Sequence, residues 1–96
     1  EMVIDLKTTG DISGFRWSAK KYNYDSQAYI YQTMFNRPLV FYVVEKGTGM
    51  LGVFEPSPSF IEGGEAKVHK AIEQYRKFFG DNPSEEISSY FIHEIL

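Results

Sequence analysis

Leu39-Val40-Phe41-Tyr42-Val43-Val44-Glu45 is an unbroken run of apolar and aromatic residues closed by an acid. A run of that length and composition, entered through Arg37-Pro38 and left through Lys46-Gly47-Thr48-Gly49, reads as a strand between turns. A strand with one wet face alternates apolar and polar residues, whereas one covered on both faces stays apolar throughout. Residues 39–45 are therefore expected at the heart of a sheet covered on both faces. Met50 to Glu55 reads as the returning strand of a hairpin.

Working toward the N-terminus, Met2 to Lys7 (MVIDLK) has the same strand character, and Thr8-Thr9-Gly10-Asp11 breaks it. Asp11 or Ser13 is placed to cap a helix from Ile12 to about Lys21. Asn23-Tyr24-Asp25 opens a second helix, Ser26 to about Asn36, with Tyr24, Ala28, Tyr31 and Phe35 on its apolar side. Strand, helices and a second apolar strand make a right-handed parallel crossover the default. On the other side of the run, Ser57 or Ser59 caps a long helix from Phe60 to Phe79, weakened early by Gly63-Gly64. Gly80-Asp81-Asn82-Pro83 stops it, and Ser84 to Leu96 restarts as a C-terminal helix, either part of the core or an added element. The reading is one small α/β domain with a mixed sheet of about three strands flanked by helices.

The 96 residues carry 43% hydrophobic and 17% aromatic side chains, enough for a packed core in one domain. A formal charge of -3 argues against affinity for nucleic acid resting on overall positive charge, though a local basic rim remains compatible. There is no cysteine, which removes thiolate catalysis and Cys-based zinc sites and fits a cytoplasmic setting. No apolar run approaches the length of a membrane span. The strand that begins almost at Glu1 suggests a cut edge, with part of the domain upstream.

Two pairs of residues carry chemistry. Strand side chains alternate faces, so Asp5 and Lys7 point the same way, roughly 7 Å apart along the strand. A carboxylate and an amine held together near a strand end can form a plain ion pair, or can bind a hard cation and orient an attacking water. Gln27 and Tyr31 stand four apart on one helical face, where an amide and a phenol can meet a phosphate or simply edge the core. Arg16, Lys20 and Lys21 offer a basic rim or a solvated helix face, and Trp17 beside them can stack a base or pack. His69 and His93 lack metal-ligand spacing.

IDLKTT, then a helix with YDSQAYIY, then FYVVE and a helix with AIEQYRKF, resembles the RecB-like exonuclease branch of the PD-(D/E)XK (restriction-endonuclease-like) nucleases. Within that branch the chain resembles phage and prophage RecE-type (exonuclease VIII-like) proteins. The resemblance covers the chain to about Phe79. It implies the C-terminal half of such a domain, 1–96, with an upstream helix and strands supplied elsewhere. It further implies a magnesium-dependent DNA exonuclease of phage or bacterial recombination, with Mn²⁺ as a substitute metal. Asp5 would match the second metal-binding acid, Leu6 would offer its backbone carbonyl to the same metal, and Lys7 would be the catalytic lysine. Gln27 and Tyr31 would match the motif that contacts DNA. The family's first metal-binding acid lies on a preceding strand that this chain does not contain, and Glu1, roughly 13 Å from Asp5, cannot replace it. That departure favours the alternative, a non-catalytic relative of the same fold that binds or self-assembles. In either case the edge of strand Met2–Lys7 is expected to pair, with the upstream half or with a second copy.

Overall fold

The computed structural model describes residues 1–79 together with Glu94 and Ile95. The expected helix from Ser84 to Leu96 lies outside the described residues, apart from those two positions.

Strand β1 (Val3–Thr9) is followed by a 3₁₀ turn (Ile12–Gly14), helix α1 (Phe15–Lys21) and helix α2 (Tyr24–Phe35). Strand β2 (Leu39–Glu45), strand β3 (Leu51–Phe54) and helix α3 (Pro58–Phe79) complete the order. The sheet runs β1-β2-β3, with β1 parallel and β3 antiparallel to β2. This is a small mixed α/β fold, as the apolar run and its flanks imply.

The strand bounds follow from local chemistry. Pro38 enters β2 and Gly47 and Gly49 leave it, both glycines at positive φ in the hairpin turn. Helix α2 ends at Asn36, whose φ of 51° is left-handed, a conformation asparagine tolerates better than most residues. The single helix expected over 12–21 is instead a 3₁₀ turn followed by α1. Neither Asp11 nor Ser13 caps it with a side chain. The Asp11 carboxylate accepts the Ser13 hydroxyl at 2.6 Å, while the Ile12 N–H is taken by Glu45 Oε2 at 2.8 Å. Ser57 does cap α3, its hydroxyl accepting the Phe60 N–H at 3.2 Å.

The core lies between the sheet and α1–α2. Phe15, Ala19, Ala28, Leu39, Phe41 and Val43 form one buried cluster, with Tyr24, Tyr31 and Phe54 against it. Phe15 sits centrally, its ring 4.7 Å from Phe54 and 6.1 Å from Phe41. Burying each such ring contributes about 1.5–3 kcal/mol. Phe35, expected on the buried side of α2, is exposed.

Only one face of the sheet is covered by described residues, contrary to the expectation for β2. Val3, Asp5 and Lys7 face the helices, as do Leu39, Phe41 and Val43. On the opposite face Ile4, Leu6, Tyr42, Leu51 and Val53 are 41–75% exposed, and only Val40 is buried. Helix α3 likewise packs through its first turns, where Gly64 is buried, and leaves Ile72, Tyr75 and Phe79 exposed. Of the glycine pair that weakens those turns by propensity, Gly64 is what lets them approach α2. A Cβ on Gly64 would collide with the Asp25 backbone.

Candidate functional site

Strand pleating puts Asp5 and Lys7 on the helix-covered face, and the structure pairs them. Lys7 Nζ lies 3.1 Å from Asp5 Oδ2, with side chains 16% and 19% exposed respectively. The same ammonium sits over the Tyr24 ring, 4.2 Å from its centroid. A cation between a carboxylate and a π-face is stabilised from both sides. The Asp5–Lys7 contact is a charge pair by distance, but its alignment falls short of a hydrogen bond. Asp5 Oδ2 is buried without one.

The direction of α2 decides what else reaches this pair. Val3 N–H donates to Pro38 O at 2.8 Å, so the end of α2 is tied near the start of β1. Tyr24, at the helix's other end, touches Lys7 near the strand's C-terminal end. Helix α2 therefore descends antiparallel to β1. Gln27 lies one turn beyond Tyr24, about 4.5 Å further along the axis in the direction that runs from Lys7 toward Asp5. Gln27 Nε2 donates to Tyr31 Oη at 3.4 Å, which confirms the shared face expected from their spacing. Gln27 Oε1 is buried with no hydrogen-bond partner. The two buried oxygens left unsatisfied among the described side chains thus belong to the two residue pairs the sequence singles out.

Backbone geometry fixes where the Leu6 carbonyl points. Within a strand, a residue's N–H and C=O point to the same side, and successive residues alternate. Val3 N–H and Thr9 O both bond toward β2, so the residues in phase with them do the same. Ile4, Leu6 and Thr8 then direct their backbone groups to the open edge of β1, where no described strand pairs. The Leu6 carbonyl is free to serve as a ligand.

A cleft of about 410 Å³ opens beside this site at the C-terminal end of β1, lined by Thr8, Thr9, Ser18, Tyr22, Tyr24 and Lys46 among others. The carboxyl ends of parallel strands are where open α/β sheets place their ligands. Arg16 and Lys20 do not line this cleft. They face a second cavity on the other side of α1, while Lys21 Nζ lies 5.9 Å from the Tyr22 ring centroid.

Two groups escaped sequence reasoning. Tyr24, read only as a core contact, holds Lys7. Asp25, 2% exposed, is paired with Lys67 at 3.0 Å and anchors α2 to α3. The Gly63-Gly64 doublet was the signal available for that helix contact.

For Mg²⁺ the fit is partial. The Asp5 carboxylate and the Leu6 carbonyl are hard oxygen donors on adjacent residues, and Mg²⁺ is commonly held by one or two carboxylates with water and substrate phosphate completing its shell. Among the described residues no three His, Asp or Glu side chains converge on one point. No described helix is long and apolar enough to cross a membrane. Comparison with protein-family models, with curated proteins and with solved structures finds no match to this chain.

Proposed function

We propose that this chain carries the D-x-K portion of a magnesium-dependent deoxyribonuclease site of the PD-(D/E)XK type, acting as an exonuclease in phage or bacterial recombination. The observation that carries the reading is the Asp5–Lys7 pair on β1, 3.1 Å apart, with the Leu6 carbonyl directed to the strand's open edge where no described strand pairs. Among the described residues Asp5 Oδ2 and Gln27 Oε1 are buried with no aligned hydrogen-bond donor, the first held only by the Lys7 charge at 3.1 Å. Buried polar atoms are normally satisfied, so two acceptors short of a donor favour a ligand that brings a cation or a hydrogen-bond donor.

Each residue has a definite task in this reading. Asp5 and the Leu6 carbonyl present oxygens to the cation. When bound, Mg²⁺ would lower the pKa of a coordinated water and offset charge on the phosphate. Lys7, released from Asp5, turns its ammonium toward the phosphodiester and stabilises charge developing there. Tyr24 limits that movement by keeping the ammonium over its ring. Gln27 Nε2 and Tyr31 Oη hold the strand by donating to phosphate oxygens.

A second reading is a non-catalytic member of the same fold that binds or self-assembles. The broad exposed apolar face of the sheet favours it, together with the lack, among the described residues, of a group of three acidic or histidine side chains that could hold a metal. The experiment that separates the two is cleavage of linear DNA in Mg²⁺ or Mn²⁺ by the longer protein that the resemblance implies. Loss of cleavage in Asp5→Ala, with the circular dichroism unchanged, supports the nuclease. Cleavage that survives Asp5→Ala excludes this site.

A further inference from the structure

Helix α1 separates the Thr8–Lys46 cleft from a second cavity of about 410 Å³, and Phe15 lines both. The floor of this second cavity is aromatic. Phe15, Phe41, Phe54 and Phe60 all face it, the first two nearly fully buried and the last two half-buried. Tilted and edge-on ring contacts set the floor, with Phe15 and Phe54 4.7 Å apart and Phe41 and Phe60 6.3 Å apart.

The two walls of its mouth differ in chemistry. From α1 come Arg16, Lys20 and Trp17, the last 72% exposed with the Arg16 guanidinium 5.0 Å from its ring centroid. From the β3–α3 connection come Glu55 and the Ser57 and Ser59 hydroxyls, 3.1 Å apart at the start of α3. The structure thus sets aromatic surface below, cations on one side, and hydrogen-bonding hydroxyls with a carboxylate on the other.

These three chemistries together narrow the ligand. A bare anion would have no use for the aromatic floor, and an apolar ligand none for the paired cations. A nucleotide uses all of them: its base has a π-face for the half-buried Phe54 and Phe60 rings and the exposed Trp17, its edge has donors and acceptors for Glu55 and the serines, and its phosphate suits Arg16 and Lys20. The volume is at the small end of the ligand-pocket range of roughly 300–1,000 Å³, room for a single unit. With a net charge of -3, the chain lacks the broad positive surface that duplex binding draws on, so contact is local. The geometry points to a subsite for one unpaired nucleotide of a DNA strand, base inward and phosphate against Arg16 and Lys20. The choice of DNA rests on the nuclease reading. The preference for a nucleotide rests on the cavity alone.

The sequence contains one tryptophan, so its emission reports on this mouth directly. The experiment titrates the chain, in EDTA and low salt, with oligo(dT)8, with dTMP, with a DNA duplex and with sodium phosphate, following Trp17 fluorescence. Quenching by oligo(dT)8 at concentrations where duplex and phosphate are silent is the expected result. The double variant Arg16→Ala, Lys20→Ala should weaken it about tenfold or more. Ser59→Glu should weaken it as well while preserving the fold, because a carboxylate suits the first turn of a helix. Binding of dTMP as tight as that of the oligomer would assign the site to free nucleotides and overturn the strand. Equal quenching by phosphate, no quenching at all, or quenching indifferent to all three substitutions would overturn the nucleotide site. Because EDTA removes the metal from the question, failure here leaves the Asp5 cleavage test standing, and failure there leaves this one standing.

Discussion

Lys67 on α3 donates to Asp25 Oδ1 on α2 at 3.0 Å, and Asp25 is 2% exposed. The same ammonium reaches Lys20 O at 3.0 Å and Asn23 Oδ1 at 3.2 Å, so one cation ties the end of α1 and the start of α2 to α3. Removing it leaves a buried carboxylate supported at Oδ1 only by the Ser26 N–H. Lys67→Met should destabilise the fold by about 2 kcal/mol, below the full cost of breaking a buried pair because Lys67 itself is partly solvated. Urea denaturation measures this, and a loss under about 0.5 kcal/mol would mean that the pair is incidental.

The glycine doublet beneath that pair allows a sharper comparison. A Cβ on Gly64 would run into the Asp25 carbonyl and the Ser26 nitrogen, backbone atoms that cannot swing aside. At Gly63 the nearest atom would be Asp25 Oδ2 at 3.6 Å, an ordinary contact. Gly64→Ala should therefore cost about 3 kcal/mol through overpacking. Gly63→Ala should be neutral or stabilise by up to about 1 kcal/mol, through helix propensity. Thermal melts of the two variants should move in opposite directions, or one should fall while the other stays.

What the sequence revealed, and what it hid, follows from the range of the interactions involved. The bounds of β2 were legible because its apolar run and its Pro and Gly neighbours are local. The pairings Asp5 with Lys7 and Gln27 with Tyr31 were legible because periods of two and of three to four fix a shared face. The break at Gly14 was hidden, since the group that receives the Ile12 N–H is Glu45, 33 residues away. Gly64 read as a weak point because nothing local announces which backbone will approach it. Continuity of apolar residues in β2 suggested cover on both faces, yet the pattern only shows that a face suits burial, not that the described elements bury it. A basic rim of Arg16, Lys20 and Lys21 is legible only as a set of charges, and the turn of α1 places Arg16 and Lys20 at the second cavity and not at the cleft beside Asp5.

Glu45 also gives the fold a pH dependence. The Ile12 N–H, followed by the Thr48 hydroxyl, holds its carboxyl below the usual carboxylate range. A depressed folded-state pKa contributes stability that is present above the unfolded value and lost as pH falls through the folded one. Glu45→Gln should thus lower stability at neutral pH, and the gap from wild type should close as the pH drops below the ordinary glutamate value. Chemical denaturation at neutral and acidic pH measures the gap. A gap independent of pH would assign the effect to packing.

At the candidate nuclease site the expected order of effects is Asp5→Ala and Lys7→Ala together at the bottom, with Gln27→Ala and Tyr31→Phe less impaired. In the proposed nuclease reading the first pair acts on the cation and on transition-state charge, where a lost group costs a few kcal/mol, while the second positions the strand. Single-turnover cleavage of labelled linear DNA ranks them. Gln27→Ala as inactive as Lys7→Ala, with the fold intact, would place Gln27 in the chemistry.

The remaining expectation concerns the open side of the sheet. Ile4 and Leu6 on β1, Tyr42 on β2 and Leu51 and Val53 on β3 make a contiguous exposed apolar surface, since Leu6 pairs with Tyr42, Tyr42 with Val53, and Ile4 lies two residues from Leu6. The β1 edge beside it offers the backbone groups of Ile4, Leu6 and Thr8, with no described partner strand. Surfaces of this kind favour association, and a closed two-fold pairing is the commonest way to satisfy both face and edge. The 96-residue chain should therefore sediment as a mixture whose mean mass rises with concentration in the micromolar range. Leu6→Lys with Leu51→Lys places charge on the face at two of its most exposed positions, 68% and 75%, without touching the core. Those substitutions should shift the protein toward monomer and leave its circular dichroism unchanged. A wild-type chain that stays monomeric across that range would show that neither the face nor the edge drives assembly.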